Sequence, residues 1–162
     1  MTLYLLDANV LIRANEDYYP IDRIPQFWTW LEDMGVVGDI KIPAQIYAEI
    51  TPSRGPLAAW LKRPGIKERL VLDEPTEMAR VRRVITEGYA PDLTDIEIEA
   101  IGQDPFLVAA ALGGSDRVIV TKEVARPRAQ RGNRKIPDVC AAFGIVAIND
   151  FELYRRLNFA IH

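Results

Sequence analysis

The stretch LYLLDANVLI, residues 3–12, decides the fold. Its first half, LYLL (3–6), is a continuous apolar run without alternation, the pattern of a strand buried on both faces of a sheet. Asp7 and Asn9 interrupt the apolar character, and Val10, Leu11 and Ile12 restore it as the buried face of a following helix. A greasy strand that ends on an aspartate and runs straight into a helix is the start of a β–α unit. Two later segments carry the same strand signature, RVIVT (117–121) and GIVAI (144–148), with RLVLD (69–73) as a weaker fourth.

Helical patterns lie between them. In IPQFWTWLEDMG (24–35), Pro25 suits a first turn, and Ile24, Phe27, Trp30, Leu31 and Met34 share one face. PAQIYAEI (43–50), TEMARVRRVITEGY (76–89), LTDIEIEAIG (93–102) and DPFLVAAALGG (104–114) follow. The last places Asp104 at an N-cap, Pro105 at the first helical position and Gly113–Gly114 as a stop. NDFELYRRL (149–157) is a closing helix capped by Asn149. Buried-type strands alternating with helices predict an α/β fold of three layers, a central, mostly parallel sheet with helices on both faces. With 162 residues, no repeat and no flexible linker, a single domain spanning residues 1–162 is expected.

Composition narrows the chemistry. Apolar residues make up 49% and charged ones 27%, as in a compact globule. No apolar run approaches the roughly 20 residues of a membrane span. The N-terminus lacks the basic region of a signal peptide, and a single cysteine suits a reducing compartment, so the expected location is cytoplasmic, away from any membrane. One cysteine, Cys140, and one histidine, His162, leave no ligand set for zinc, no Cys–His nucleophile pair and no histidine base. Cys140 reads as a small core residue. Hydrolytic chemistry in this chain has to be built from carboxylates.

Where a parallel sheet opens, strand C-termini and helix N-termini gather at one edge, and ligands bind there. Asp7 ends the first strand. Thr121 ends RVIVT, with Glu123 two residues beyond. Asp104 opens the helix leading into that strand, and Glu49 joins them if its helix face turns that way. Each has a plainer role: Asp7 and Asp104 as helix caps, Glu49 as a solvated surface residue, Glu123 as a partner of Lys122 or an arginine. Their convergence favours the functional reading, because caps need not be placed to converge. Clustered carboxylates raise one another's pKa unless a cation sits among them, and oxygen-only ligands suit hard cations such as Mg²⁺ or Mn²⁺. One such metal orients a phosphate and lowers the pKa of water; a pair about 3.5–4 Å apart also stabilises a leaving oxygen.

Net charge is −3, but its distribution is uneven. Residues 122–135, KEVARPRAQRGNRK, carry a local +5, which leaves −8 on the other 148 residues. Lys122, Arg126, Arg128, Arg131, Arg134 and Lys135 are placed to track a phosphate backbone beside the acids, or else to form a solvated loop or a docking strip for an acidic partner. Trp28 and Trp30 are capable of stacking on bases, but core packing is the better reading, for Trp30 above all. Tyr18 and Tyr19 fall in a loop after the first helix, where they can flank a substrate or a partner.

Taken in order, LLDANVLI, QIYAEI, GQDPFLVAAAL and VIVTKE resemble the successive acidic motifs of PIN-domain ribonucleases, a family that includes the toxin halves of many bacterial toxin–antitoxin pairs. YYPIDRIPQFWTWL and RKIPDVCAAFGI are similar to one branch of uncharacterised PIN-like proteins. D-x-N-x-L alone is short; the ordered set, covering nearly the whole chain, carries the likeness. The resemblance implies that Asp7, Glu49 and Asp104 are metal ligands and places the fourth acid at Glu123, where many members have aspartate. That departure adds one methylene and allows a water-mediated contact. The resemblance also implies that Asn9 holds Asp7 or a water and that Thr121 orients the fourth acid or a phosphate. Asp138 stands as a substitute ligand or as a first-turn acid favoured by the helix dipole.

The expected activity is Mg²⁺- or Mn²⁺-dependent endoribonuclease cleavage of RNA, leaving 5′-phosphate and 3′-hydroxyl ends, with an antitoxin protein as partner and a homodimer built on the apolar first helices. The alternative is a non-catalytic PIN-like module for nucleic-acid or protein binding, in which Glu123 is too displaced to complete the site. A phosphatase with an aspartyl nucleophile is a weaker third, because such enzymes resemble D-x-D and the second position here is Asn9.

Overall fold

In a computed structural model describing residues 1–162, the strand β1 (Leu3–Leu6) lies inside a four-stranded, wholly parallel sheet. It pairs with β2 (Ile40–Lys41) on one side and β3 (Arg117–Val120) on the other, and β3 pairs with β4 (Val146–Ile148), giving the order β2-β1-β3-β4. Leu6 lies opposite Val120, and Val120 opposite Ile148. Asp7, Thr121 and Asn149 therefore leave the sheet side by side. Leu5, Leu6, Ile119 and Val120 are covered on both faces, as continuous apolar strands require.

The chain between strands is helical: α1 (Ala8–Arg13), α2 (Pro25–Val37), α3 (Ala44–Ile50), α4 (Pro56–Leu61), α5 (Ile66–Leu70), α6 (Met78–Arg83), α7 (Asp95–Ile101), α8 (Asp104–Leu112), α9 (Ile136–Ala142) and α10 (Asp150–Arg156). Two of them run on into π-helix, α1 through Ala14–Tyr18 and α6 through Val84–Tyr89. The protein is thus α/β, with a parallel sheet flanked by helices. One apolar cluster of 35 residues runs from Tyr4 to Tyr154. No helix is long and apolar enough to cross a membrane.

Several expectations need correction. RLVLD is not a strand: Arg69 and Leu70 finish α5, and only Val71 bridges, in parallel, to Ile42. Ile66 and Leu70 stand one turn apart on a helix that follows Gly65, so helical spacing wins over the short apolar run. GIVAI forms an edge strand, with Val146 53% exposed, rather than one buried on both faces. Ile12 sits on the open side of α1.

On α2 the buried residues are Phe27, Trp28, Leu31 and Gly35; Phe27 and Leu31 are as expected, Trp30 and Met34 pack against the core only partly buried, and the centre of the face moves to Trp28 and Gly35. Trp28, not Trp30, is the deeply buried tryptophan. It donates its indole N–H to the Tyr19 carbonyl (2.7 Å) and packs edge-on against Trp60 of α4 (5.0 Å), a helix the sequence reading did not contain. Gly35 completes that face. A Cβ there would stand 2.6 Å from the Arg69 carbonyl oxygen, so α2 and α5 touch backbone to backbone. Tyr18 and Tyr19 close the π-helical turn rather than a loop, and Tyr19 stacks on Phe27 (4.7 Å).

Candidate functional site

The site begins where β1 ends. The Asp7 backbone N–H bonds the Val120 carbonyl (2.9 Å), which carries the β1–β3 pairing up to the aspartate. Its side chain is 4% exposed. One oxygen, Oδ1, accepts from the Ala8 N–H (2.8 Å) and caps α1; the other, Oδ2, accepts from the Thr121 hydroxyl (2.8 Å) at the end of β3. Capping and site chemistry thus coexist in one carboxylate. Burial pushes Asp7 up to about 6 against the Thr121 and Ala8 hydrogen bonds, and the charges of Glu123 and Glu49 push the same way.

Asp104 differs from expectation in one respect. Gln103 holds the cap position of α8 and Asp104 lies inside the first turn, so its carboxylate is free to face the sheet edge instead of folding back onto the helix. No hydrogen bond offsets its charge. Burial, then Asp7, Glu123 and Glu49, carry it up to about 8, and Lys135 is the cation that opposes them. Glu49, near the end of α3, is exposed, yet burial against its own surroundings also raises it. Its charge acts on both Asp7 and Asp104, which places it with them.

Glu123 is the fourth member. Its N–H donates to Thr121 Oγ1 (3.1 Å), and its Oε1 accepts from the Ile136 N–H (3.3 Å) at the start of α9. Thr121 is therefore the joint of the site, donating to Asp7 and accepting from Glu123. Asp7 and Asp104 thus lie within reach of each other's charge and of those of Glu49 and Glu123 around the C-terminal edge of the sheet, with Lys135 as the opposing cation at Asp104.

The donor set is all oxygen, Asp104 is uncompensated, and each carboxylate keeps lone pairs beyond its present hydrogen bonds. Asp7, Glu49, Asp104 and Glu123 therefore suit a hard divalent cation such as Mg²⁺ or Mn²⁺. They are gathered but not closed: no three Asp, Glu, His or Cys side chains stand at metal-binding spacing.

The supporting residues divide. Asn9 does not touch Asp7; its Oδ1 accepts from the Lys122 N–H (3.2 Å) and ties α1 to the chain leaving β3. Asp138 accepts the Arg126 N–H (2.7 Å), so this first-turn acid of α9 anchors the basic loop.

Within the loop, Arg131 is bound to Asp92 (2.8 Å) and Glu97 (3.0 Å), and Arg134 to the Gly88 and Asp138 carbonyls. Lys122 is ion-paired with Asp150 (3.0 Å) beneath the rings of Tyr18 (5.0 Å) and Phe151 (4.6 Å). Arg126 and Arg128 point to solvent, and Lys135 faces Asp104. The six basic residues are thus three internal ties and three free cations.

Three residues of this neighbourhood were not foreseen as part of it. Asp150, fully buried, holds Lys122; its only sequence signal is its place just after β4 on the same sheet edge. Cys140 is buried as expected, yet close enough to Glu123 and Asp7 that burial and their charges push its thiol up to about 12. Tyr89, at the end of the π-helical turn after α6, is buried with its hydroxyl unpaired.

The candidate site is a set of four carboxylates around the C-terminal edge of a parallel α/β sheet, beside a basic loop. The chain belongs to the family described as a domain of unknown function (DUF4411), whose model matches residues 4–161. No curated protein and no solved structure matches it.

Proposed function

We propose that this protein is a divalent-metal-dependent phosphodiester hydrolase acting on RNA, a PIN-type endoribonuclease. The observation that supports it best is the convergence of Asp7, Glu49, Asp104 and Glu123, with two of them raised by burial and by the other acids. Such a cluster lowers stability while the site holds no cation, and structural caps alone have no need to incur that cost.

Bound there, Mg²⁺ or Mn²⁺ supplies charge neutralisation at phosphorus and a lowered pKa for water. The chain's own contribution is positioning. Asp7 is fixed at both oxygens by Thr121 and Ala8. Asp104 offers a carboxylate that no hydrogen bond restrains. Lys135 stands beside Asp104 to meet a phosphate, and the exposed Arg126 and Arg128 extend a positive track for the RNA backbone. Water adds to phosphorus, the P–O3′ bond breaks, and the products are a 5′-phosphate and a 3′-hydroxyl. A toxin role, with a small antitoxin as partner, follows from the order of motifs.

Asp7→Asn and Asp104→Asn are each expected to abolish Mg²⁺-dependent cleavage of single-stranded RNA. Full activity in both variants refutes the reading. One contact favours the non-catalytic alternative: Glu123 already caps α9 through Ile136. Failure of the native protein to bind Mn²⁺ at millimolar concentration would establish that alternative.

A further inference from the structure

Among side-chain polar atoms, three are buried without a hydrogen-bond partner: Asp150 Oδ2, Tyr154 Oη and Tyr89 Oη. The first two belong to one helix, and the charge of Asp150 acts on Tyr154, so they are each other's neighbours beside Lys122. Tyr89 stands apart from them. The π-helical turn that carries it packs against α8, which opens at Asp104, and against α9, whose first N–H holds Glu123. The charges that act on its hydroxyl are those of Asp104, Glu123, Cys140 and Asp7.

Its placement is built into the backbone. The helix that begins as α6 widens into π-helix over Val84–Tyr89, which re-aims its last residue relative to a regular helix. Gly88 lets that turn press against α9: a Cβ would lie 2.8 Å from Val139 Cγ1 and 3.0 Å from the Phe143 ring. Arg134 grips the Gly88 carbonyl from the other side. Tyr89 follows directly, 7% exposed. A residue serving only as core gains nothing from a hydroxyl that stays unpaired, since burying one without a partner costs about 1–3 kcal/mol.

We propose that the Tyr89 hydroxyl is a ligand-binding group of the carboxylate site, donating a hydrogen bond to an oxygen, of water or of phosphate, that enters with the cation. The inference rests on the metal reading above. A phenol keeps its proton at neutral pH, so it acts as a donor and not as a base.

Tyr89→Phe tests it without relying on cleavage. Metal-free, the variant is expected to match or exceed the native protein in urea midpoint, because no hydrogen bond is lost. Free Mn²⁺ is then followed by electron paramagnetic resonance, and a nucleoside 5′-monophosphate, which cannot be cleaved, is titrated calorimetrically into Mn²⁺-loaded protein. A roughly tenfold weakening of Mn²⁺ itself assigns the hydroxyl to a water; the same weakening confined to the nucleotide assigns it to phosphate. Native affinity for both overturns the proposal, and so does a lower metal-free midpoint, which would mean the hydroxyl was already bonded. If the native protein itself takes up no Mn²⁺, the metal reading fails first and this inference falls with it.

Discussion

Replacing Asp104 with asparagine should leave the metal-free protein more stable than the native chain at neutral pH. Burial and the neighbouring acids carry this carboxyl from 3.8 to about 8. Between those two pH values the folded chain retains a proton that the unfolded chain has released, so stability is lost as pH rises through that window. Each decade of proton affinity is worth about 1.4 kcal/mol, and at pH 7.5 the full linkage comes to about 5 kcal/mol. The amide that replaces the carboxyl keeps its own burial cost of roughly 1–3 kcal/mol, which leaves a net gain of about 2–4 kcal/mol.

In a chain of this length that gain corresponds to a melting temperature higher by roughly 4–16 °C. The assay is urea unfolding in a chelator at pH 7.5 and again near pH 3, below the unfolded value of 3.8, where the advantage should vanish because both states of the native chain largely hold the proton. Adding Mg²⁺ or Mn²⁺ should narrow the difference at pH 7.5, since only the native site gains from binding. An Asp104→Asn protein less stable than native at pH 7.5, or one whose advantage does not change with pH, would falsify the view of Asp104 as an uncompensated site carboxylate. A more stable variant that cuts no RNA also removes misfolding as the reason for lost activity.

Two further outcomes follow from particular contacts. Asp150→Asn leaves Lys122 without its counter-ion in a setting where the pair is largely buried, and is expected to cost about 3 kcal/mol in urea unfolding; adding Lys122→Met should recover much of it, and a purely additive double variant contradicts the pairing. Gly88→Ala forces a methyl against Val139 and Phe143, and should lower the thermal midpoint by a few degrees, for about 1–3 kcal/mol of strain. An unchanged midpoint there means that the close approach of the π-helical turn to α9 is not maintained in solution.

The central pair of strands was legible because both are covered on two sides: LYLL and the Val118–Val120 core of RVIVT show no polar alternation to mark an outer face. The edges were not. β2 is two residues long and exists because Tyr4 N–H finds the Asp39 carbonyl (2.8 Å), a tertiary event with no local signature. The short helices α4 and α5 contribute a tryptophan and a backbone contact to the core, and their absence from the sequence reading rotated the expected face of α2.

At the site, Asp7, Thr121 and Asp104 could be read from where strands end and helices begin. Tyr89 could not, because a helical pattern over 76–89 gives no notice of an added residue per turn. The arginines misled for a different reason. Charge along a chain does not show that Arg131 will meet Asp92 and Glu97, which lie more than thirty residues earlier.

The bond from Thr121 to Asp7 spans 114 residues of sequence. Closing so long a loop is slow and comes late, because parallel pairing rewards the chain only after its entropy has been given up. An emerging polypeptide therefore carries Asp7, Glu49 and Asp104 as unrelated surface acids until β3 slides in beside β1. Opening of that one strand pair in the mature molecule disperses them again. Gathering of the carboxylates and completion of the fold are the same event.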